Sequence, residues 1–197
     1  MTLEEFLQQY DKPGSIVLLE GKRKVREEDQ EKLVILGNLL AFKSRHMLFR
    51  SGNADGSDQF FSKGVAGIDY RRLQVITPYS GHRRRTNLAY ETVALDEIDL
   101  AAETEVVYQS KGNKKTEWLI EQYVGGNRNA YSIKAAYIIR DTVKVIGTLD
   151  VKPATFGIFY DDLHSPENGG TGHTMRVCRQ NNIPLIDQST WFQWLMK

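Results

Sequence analysis

The chain has a single cysteine, Cys178, in 197 residues, which excludes an internal disulfide framework. No activated base stands near it in the sequence, so Cys178 reads as a core residue of a helix and not as a nucleophile. Net charge is almost absent, with 26 Lys and Arg against 25 Asp and Glu. That excludes a globally basic nucleic-acid binder but leaves room for a local basic patch. No apolar run approaches the ~20 residues needed to span a bilayer. The acidic, amphipathic start Met1-Thr2-Leu3-Glu4-Glu5-Phe6 is unlike a signal peptide, and the expected compartment is the cytoplasm. The histidines, His46, His82, His164 and His173, are scattered. With no H-E-x-x-H and no Cys/His cluster, no metal centre is expected. Walker A, G-x-S-x-G and G-x-G-x-x-G patterns are missing, which argues against a P-loop NTPase, an α/β-hydrolase and the dinucleotide fingerprint. Repeats, low-complexity segments and linkers are missing too, so one domain is expected.

What is present alternates. Continuous apolar runs such as Ser15-Ile16-Val17-Leu18-Leu19 suit strands buried on both faces of a parallel sheet. Between them lie helical patterns, such as Leu33, Leu36, Leu39 and Leu40 on one face. This predicts a three-layer, Rossmann-like α/β domain, with a mostly parallel sheet and helices on both faces. Strands are expected near residues 15–20, 46–50, 72–77, 143–147, 156–160 and 183–186. Residues 80–125 read as an insertion covering one side of a cleft. Within it, residues 91–99 read as helix or loop, and a turn at Lys111-Gly112-Asn113-Lys114 separates two apolar stretches.

Two glycine-rich segments sit where strands give way to helices. Ser51-Gly52-Asn53-Ala54-Asp55-Gly56-Ser57-Asp58 follows the apolar run ending at Arg50, and a helix begins near Phe60. Asn168-Gly169-Gly170-Thr171-Gly172-His173-Thr174 precedes a helix expected to begin at Met175. Such loops present backbone N–H groups at a helix N-terminus, where the dipole favours an anion. A phosphate at Gly169–Thr174, aided by the hydroxyls of Thr171 and Thr174, is weighed against an ordinary capped turn. Asp55 and Asp58 suit ribose hydroxyls better than phosphate. Gly52, Gly56, Gly170 and Gly172 are expected to line one shared pocket. Gly21 marks a third strand-to-helix crossing. Lys22 and Arg23 after it can neutralise phosphate, whereas Lys24 reads as solvated. Arg83, Arg84 and Arg85 follow the strand near 72–77 and can grip phosphates bidentately. Asp161, Asp162 and Glu167 are the carboxylates to hold Mg²⁺ beside a nucleotide, or else solvated loop acids; no cofactor is required.

The pattern Ser51-Gly52-Asn53-Ala54-Asp55-Gly56-Ser57-Asp58 resembles the SLOG superfamily. That group joins the DNA-processing protein A fold, the LONELY GUY phosphoribohydrolases, the molybdenum-cofactor-carrier-like proteins and the YspA-like proteins. Gly169-Gly170-Thr171-Gly172 is similar to the superfamily's Gly-Gly-x-Gly loop. Arg128-Asn129, before a helix and the expected strand Thr142-Val143-Lys144-Val145-Ile146, is similar to an element of the YspA-like branch. The resemblance covers residues 14–77 and 126–188. It implies a ligand of nucleotide or ADP-ribose type. It departs from the phosphoribohydrolases where they carry glutamates after the Gly-Gly loop, since Met175 and Arg176 stand there. A methionine cannot act as a general acid or base.

Three functions remain open: a nucleotide-binding module, a nucleotide N-glycosidic or phosphate hydrolase with Glu20, Asp58 or Asp161 as its acid, and a single-stranded DNA-handling protein. His173 is expected either to touch ligand or to hold the loop against a neighbouring carbonyl. Self-association is left open.

Overall fold

The computed structural model describes residues 1–196. Among them, six strands form one all-parallel sheet: β1 (Ile16–Gly21), β2 (Leu48–Ser51), β3 (Leu73–Thr77), β4 (Glu91–Ala94), β5 (Phe156–Tyr160) and β6 (Leu185–Ile186), in the order β4-β3-β2-β1-β5-β6. The helices are α1 (Leu3–Tyr10), α2 (Glu27–Lys43), α3 (Ser57–Asp69), α4 (Thr104–Ser110), α5 (Glu117–Val124), α6 (Ser132–Ile146), α7 (Gly169–Gln180) and α8 (Gln188–Trp191). The layers are helix, sheet and helix, as the alternation of runs predicts. None of the described helices is long and apolar enough to cross a membrane.

Side-chain alternation along β1 divides the interior. Val17 and Leu19 face a core built with Leu33, Leu36 and Leu40 of α2, Phe61 of α3 and Trp191. Leu18 faces the other layer with Val145 of α6 and Met175 and Cys178 of α7. A second cluster on that layer joins Ile76 and Leu95 to Val106, Ile120, Ile139 and Val143. The amino-terminal helix α1 opens on a capping box in which Thr2 and Glu5 exchange bonds. It buries Phe6 against Phe156 and Trp194, with ring centroids 4.9 and 5.2 Å away. Burying such a side chain contributes roughly 2–3 kcal/mol. Helices α2 and α3 pack so closely that a Cβ on Gly37 would overlap the Phe61 carbonyl, and one on Gly64 the Val34 carbonyl.

The structure corrects the reading of residues 143–147. Thr142-Val143-Lys144-Val145-Ile146 is not a strand but the last turns of α6, which ends at Gly147 with φ +73°. The β-branched residues favour a strand locally. Tertiary packing decides otherwise: Ala136, Ile139 and Val143 recur at helical spacing into one cluster, while Val145 enters the other. The sixth strand is β4, from residues read as helix or loop. It pairs Gln74↔Glu91 through Thr77↔Ala94 at the sheet edge. Residues 80–125 thus contribute a strand, and α4 and α5 pack on α6.

Candidate functional site

The strand order reverses between β1 and β5. The chain steps from β1 to β2, β3 and β4 on one side, then returns to place β5 and β6 on the other. Loops leaving two such strands diverge, and open α/β sheets hold ligands in the crevice this leaves. A cleft of about 1120 Å³ lies there. Its walls are the β1 exit (Glu20 to Lys24), Ala54 and Asp58, one stripe of α6, the β5 exit (Tyr160, Asp161), and the start of α7.

Helix α7 begins at Gly169, six residues earlier than the sequence suggests, so Gly170 to Thr174 are helical. Its N-terminus is not capped by a side chain: Asn168 donates from Nδ2 to Ser165 Oγ (2.6 Å) instead. Gly172 N is the first to bond back, to Asn168 O at 3.3 Å. The N–H groups of Gly169, Gly170 and Thr171 therefore have no partner among the described residues, and these three residues line the cleft. Lys22 reaches across from the β1 exit. Its Nζ donates to Asn168 O at 2.9 Å and lies 3.4 Å from Asp161 Oδ1. Arg176, about two turns into α7, also lines the cleft.

The floor is a buried charge cluster. Lys144 contacts Glu20 and lies 2.8 Å from Asp141 Oδ1. Arg140 Nε lies 3.0 Å from Asp141 Oδ1, and Arg140 Nη1 donates to Gly52 O at 2.6 Å. Asp58 accepts from the N–H groups of Gly52 (3.0 Å), Ala54 (3.2 Å) and Gly21 (3.3 Å). Three carboxyls thus meet two cations, all buried. Burial pushes the Glu20 carboxyl up to about 7, against the pull of Lys144. Burial also raises Asp58, whereas at Asp141 the opposing effect of Arg140 and Lys144 outweighs burial and lowers it. Glu20 Oε1, Arg140 Nε and Asp141 Oδ1 are held by charge without a well-formed hydrogen bond. The cleft floor therefore retains hydrogen-bonding capacity.

On one wall, the Tyr137 ring has the Arg23 and Arg140 guanidiniums at 5.7 and 5.3 Å. Its hydroxyl lies 3.0 Å from His82 Nε2. Burial, then Arg83 and Arg140, push His82 down to about 4, so it is neutral near pH 7.

Of the residues singled out from sequence, Gly21, Lys22, Arg23, Ala54, Asp58, Gly169, Gly170, Thr171 and His173 come together around the cleft, as does Lys24. The four glycines do not share it: Gly170 lines it, whereas Gly52, Gly56 and Gly172 pack against protein. A Cβ on Gly52 would overlap the Arg140 guanidinium, on Gly56 the Arg23 backbone, and on Gly172 the Glu167 carbonyl. They permit close approach of chain to chain. Ser51 and Asn53 are buried behind the loop, and Ser51 Oγ accepts from Asn53 N at 3.1 Å. Asp55 pairs with Arg83 at 2.6 Å. Arg84 and Arg85 are exposed in a 3-10 turn and do not line the cleft. Arg128 lies over Tyr123, 4.1 Å from its centroid, and Asn129 accepts from Tyr131 N at 2.8 Å. His173 bonds Thr142 Oγ1 at 2.9 Å, and Thr174 donates to Gly170 O at 3.1 Å. Asp161 accepts from Glu167 N at 2.6 Å, Asp162 from His164 N at 3.0 Å, and Glu167 pairs with Arg179 at 2.6 Å. Among the described residues no three His, Cys, Asp or Glu side chains group as a metal site.

Sequence reasoning missed Lys134, Tyr137, Arg140, Asp141 and Lys144. The signal was present: once Thr142–Ile146 is read as helix, these residues recur at three- and four-residue spacing on one stripe.

No protein-family model matches the chain, and no curated protein matches it. Among solved structures it is similar to DNA processing protein A from Helicobacter pylori, a structure described for a single-stranded DNA binding mode. The TM-score is 0.53 at 15% identity, over 90% of this chain. The match covers 66% of that protein's chain. The likeness is one of fold.

Proposed function

We propose that the protein binds a nucleotide, or a nucleotide-derived phosphorylated ribose such as an ADP-ribose-like compound, in the cleft between β1 and β5. The observation that carries this reading is the uncapped N-terminus of α7, opening onto that cleft opposite Lys22. Unpaired N–H groups at a helix start and a facing ammonium are a phosphate's complement. Arg176 adds a second cation. The ribose and base extend along the wall made by Ala54 and Tyr137. The cleft volume is ample for a nucleotide.

Titration calorimetry with AMP, NAD and ADP-ribose tests it, with product chromatography to detect turnover. Binding to at least one is expected. Lys22→Ala and Arg176→Ala should each weaken it about tenfold or more, the scale of a lost charge-assisted hydrogen bond. A folded protein that binds none of them overturns the reading. A second reading, single-stranded nucleic-acid binding, is supported by the fold likeness to DNA processing protein A. Its signature is affinity for a single-stranded oligonucleotide that falls steeply with salt.

A further inference from the structure

Close in the chain to residues that line the cleft, two aromatic side chains stand in solvent. Trp118, in the first turn of α5, is 49% exposed, and Tyr131, the residue before α6, is 58% exposed. Their rings meet edge to face, with centroids 5.7 Å apart. Each lies two residues from a position that lines the cleft, Trp118 from Thr116 and Tyr131 from Ile133. The corresponding Cα atoms are therefore within about 8 Å of the cleft wall. Lys114, Lys115, Arg128 and Lys134 are exposed on the same segments, and Lys134 itself lines the cleft. Glu117 and Glu121 are the nearby acids, and Glu121 is paired with Lys111 at 2.9 Å.

Exposed aromatics beside cations and an anion-binding crevice complement a flat base on a phosphate linkage. We infer that the Trp118–Tyr131 pair is a stacking platform for a second nucleobase, so the preferred ligand carries two bases joined through phosphate. This rests on the proposed nucleotide site, which would hold the first unit. The linkage can be a phosphodiester, as in a dinucleotide, or a pyrophosphate, as in NAD. The phosphate joining the units would pass Lys134.

Trp118 also supplies the readout. The other tryptophans are buried, with Trp191 donating to Phe159 O and Trp194 to Met1 O, so quenching by a stacked base reports on Trp118. Affinities for AMP, the 5′-phosphorylated dinucleotide pApA and NAD are measured by calorimetry and fluorescence. At least one two-base ligand is expected to bind about tenfold tighter than AMP and to quench fluorescence. Trp118→Ala should bring its affinity to that of AMP without changing AMP binding, and Trp118→Phe should restore most of the gain. Whichever of pApA and NAD shows the gain identifies the linkage. AMP binding with no gain from a second base overturns the platform and leaves the nucleotide site standing. Two-base binding that quenches Trp118 and survives Lys22→Ala supports the platform and overturns the site. No binding of any ligand overturns both.

Discussion

Replacing Lys144 with methionine tests the physics of the cleft floor. Methionine keeps most of the apolar stem, and the Lys144 carbonyl still accepts from Arg50 Nη1, at 2.8 Å. What vanishes is the ammonium between Glu20 and Asp141. Removing one partner of a buried ion pair costs about 3–5 kcal/mol, because the remaining charge has lost its compensation. Asp141 keeps Arg140, so the loss falls mainly on Glu20. Glu20 already holds its proton up to about 7, against an ordinary 4.5. Without Lys144, which draws it down, it holds the proton to still higher pH. A carboxyl with a raised folded-state value binds its proton more tightly folded than unfolded. Its contribution is complete below about pH 4.5 and is lost as pH rises through the folded value, at about 1.4 kcal/mol per unit. In the wild-type protein that loss is on the order of 3 kcal/mol between pH 4.5 and 7. In the variant it is larger and extends further up. Urea unfolding followed by circular dichroism at pH 5, 6, 7 and 8 should show the Lys144→Met penalty level from pH 5 to 6 and larger at pH 8 by up to about 1.4 kcal/mol, because both proteins lose the Glu20 contribution in parallel until the wild-type carboxyl ionises near 7. Adding Glu20→Gln should abolish the extra loss at pH 8, since no carboxylate able to ionise then remains at position 20. A penalty uniform across pH, or under about 1 kcal/mol at pH 8, would refute this account of the cluster.

Two further outcomes follow from packing. Gly172→Ala drives a Cβ into the Glu167 backbone carbonyl, whereas at Gly170 the nearest atom is Asp141 Oδ2 at 3.1 Å. Thermal melts should show a loss of about 1–3 kcal/mol for Gly172→Ala and under about 1 kcal/mol for Gly170→Ala, and the reverse ranking would contradict the packing. Cys178 is buried and burial pushes its thiol up to about 12, so an aromatic disulfide reagent at pH 8 should label it only at the rate of unfolding. Fast labelling of the folded protein would show that the α7 core is open.

The sheet was legible wherever burial on both faces left an unbroken apolar run. Val17-Leu18-Leu19 and Phe156 to Phe159 fall in the middle of the sheet and look alike from either face. β4 was not legible for the opposite reason. It is an edge strand whose Glu91 and Thr92 are exposed, with pairing on one side from Gln74 to Thr77. An edge strand of that kind has neither an apolar run nor clean alternation. Thr142–Ile146 misled through composition. Valine and isoleucine at neighbouring positions suit a strand, but here they reach two different apolar clusters across a helix wedged between neighbours. Only the partners reveal that division.

The candidate site shows why glycine patterns and ligand contact are different things. Gly52, Gly56 and Gly172 occur where the chain passes itself too closely for a side chain. They therefore report the tightness of the turns that frame the cleft, while the cleft itself is lined by residues beside them. Asp58 illustrates the same division. It opens α3 behind a glycine-rich loop, and its carboxyl is engaged by three backbone N–H groups and shapes that loop. Three of the floor's charged groups come from the C-terminal half of α6, where Arg140, Asp141 and Lys144 sit among Ile138, Ile139, Val143 and Val145. Burying them carries a desolvation cost that well-packed apolar residues would avoid. Arg140 meets that cost with a use in the fold, since it ties Gly52 to α6 and so joins the β2 exit to the opposite layer. Glu20 has no comparable backbone task among the described contacts: its carboxyl meets Lys144 and lines the cleft. A carboxyl that holds a proton near neutral pH at a cleft floor is the group to watch when products are analysed, because proton transfer to a ligand needs such a residue.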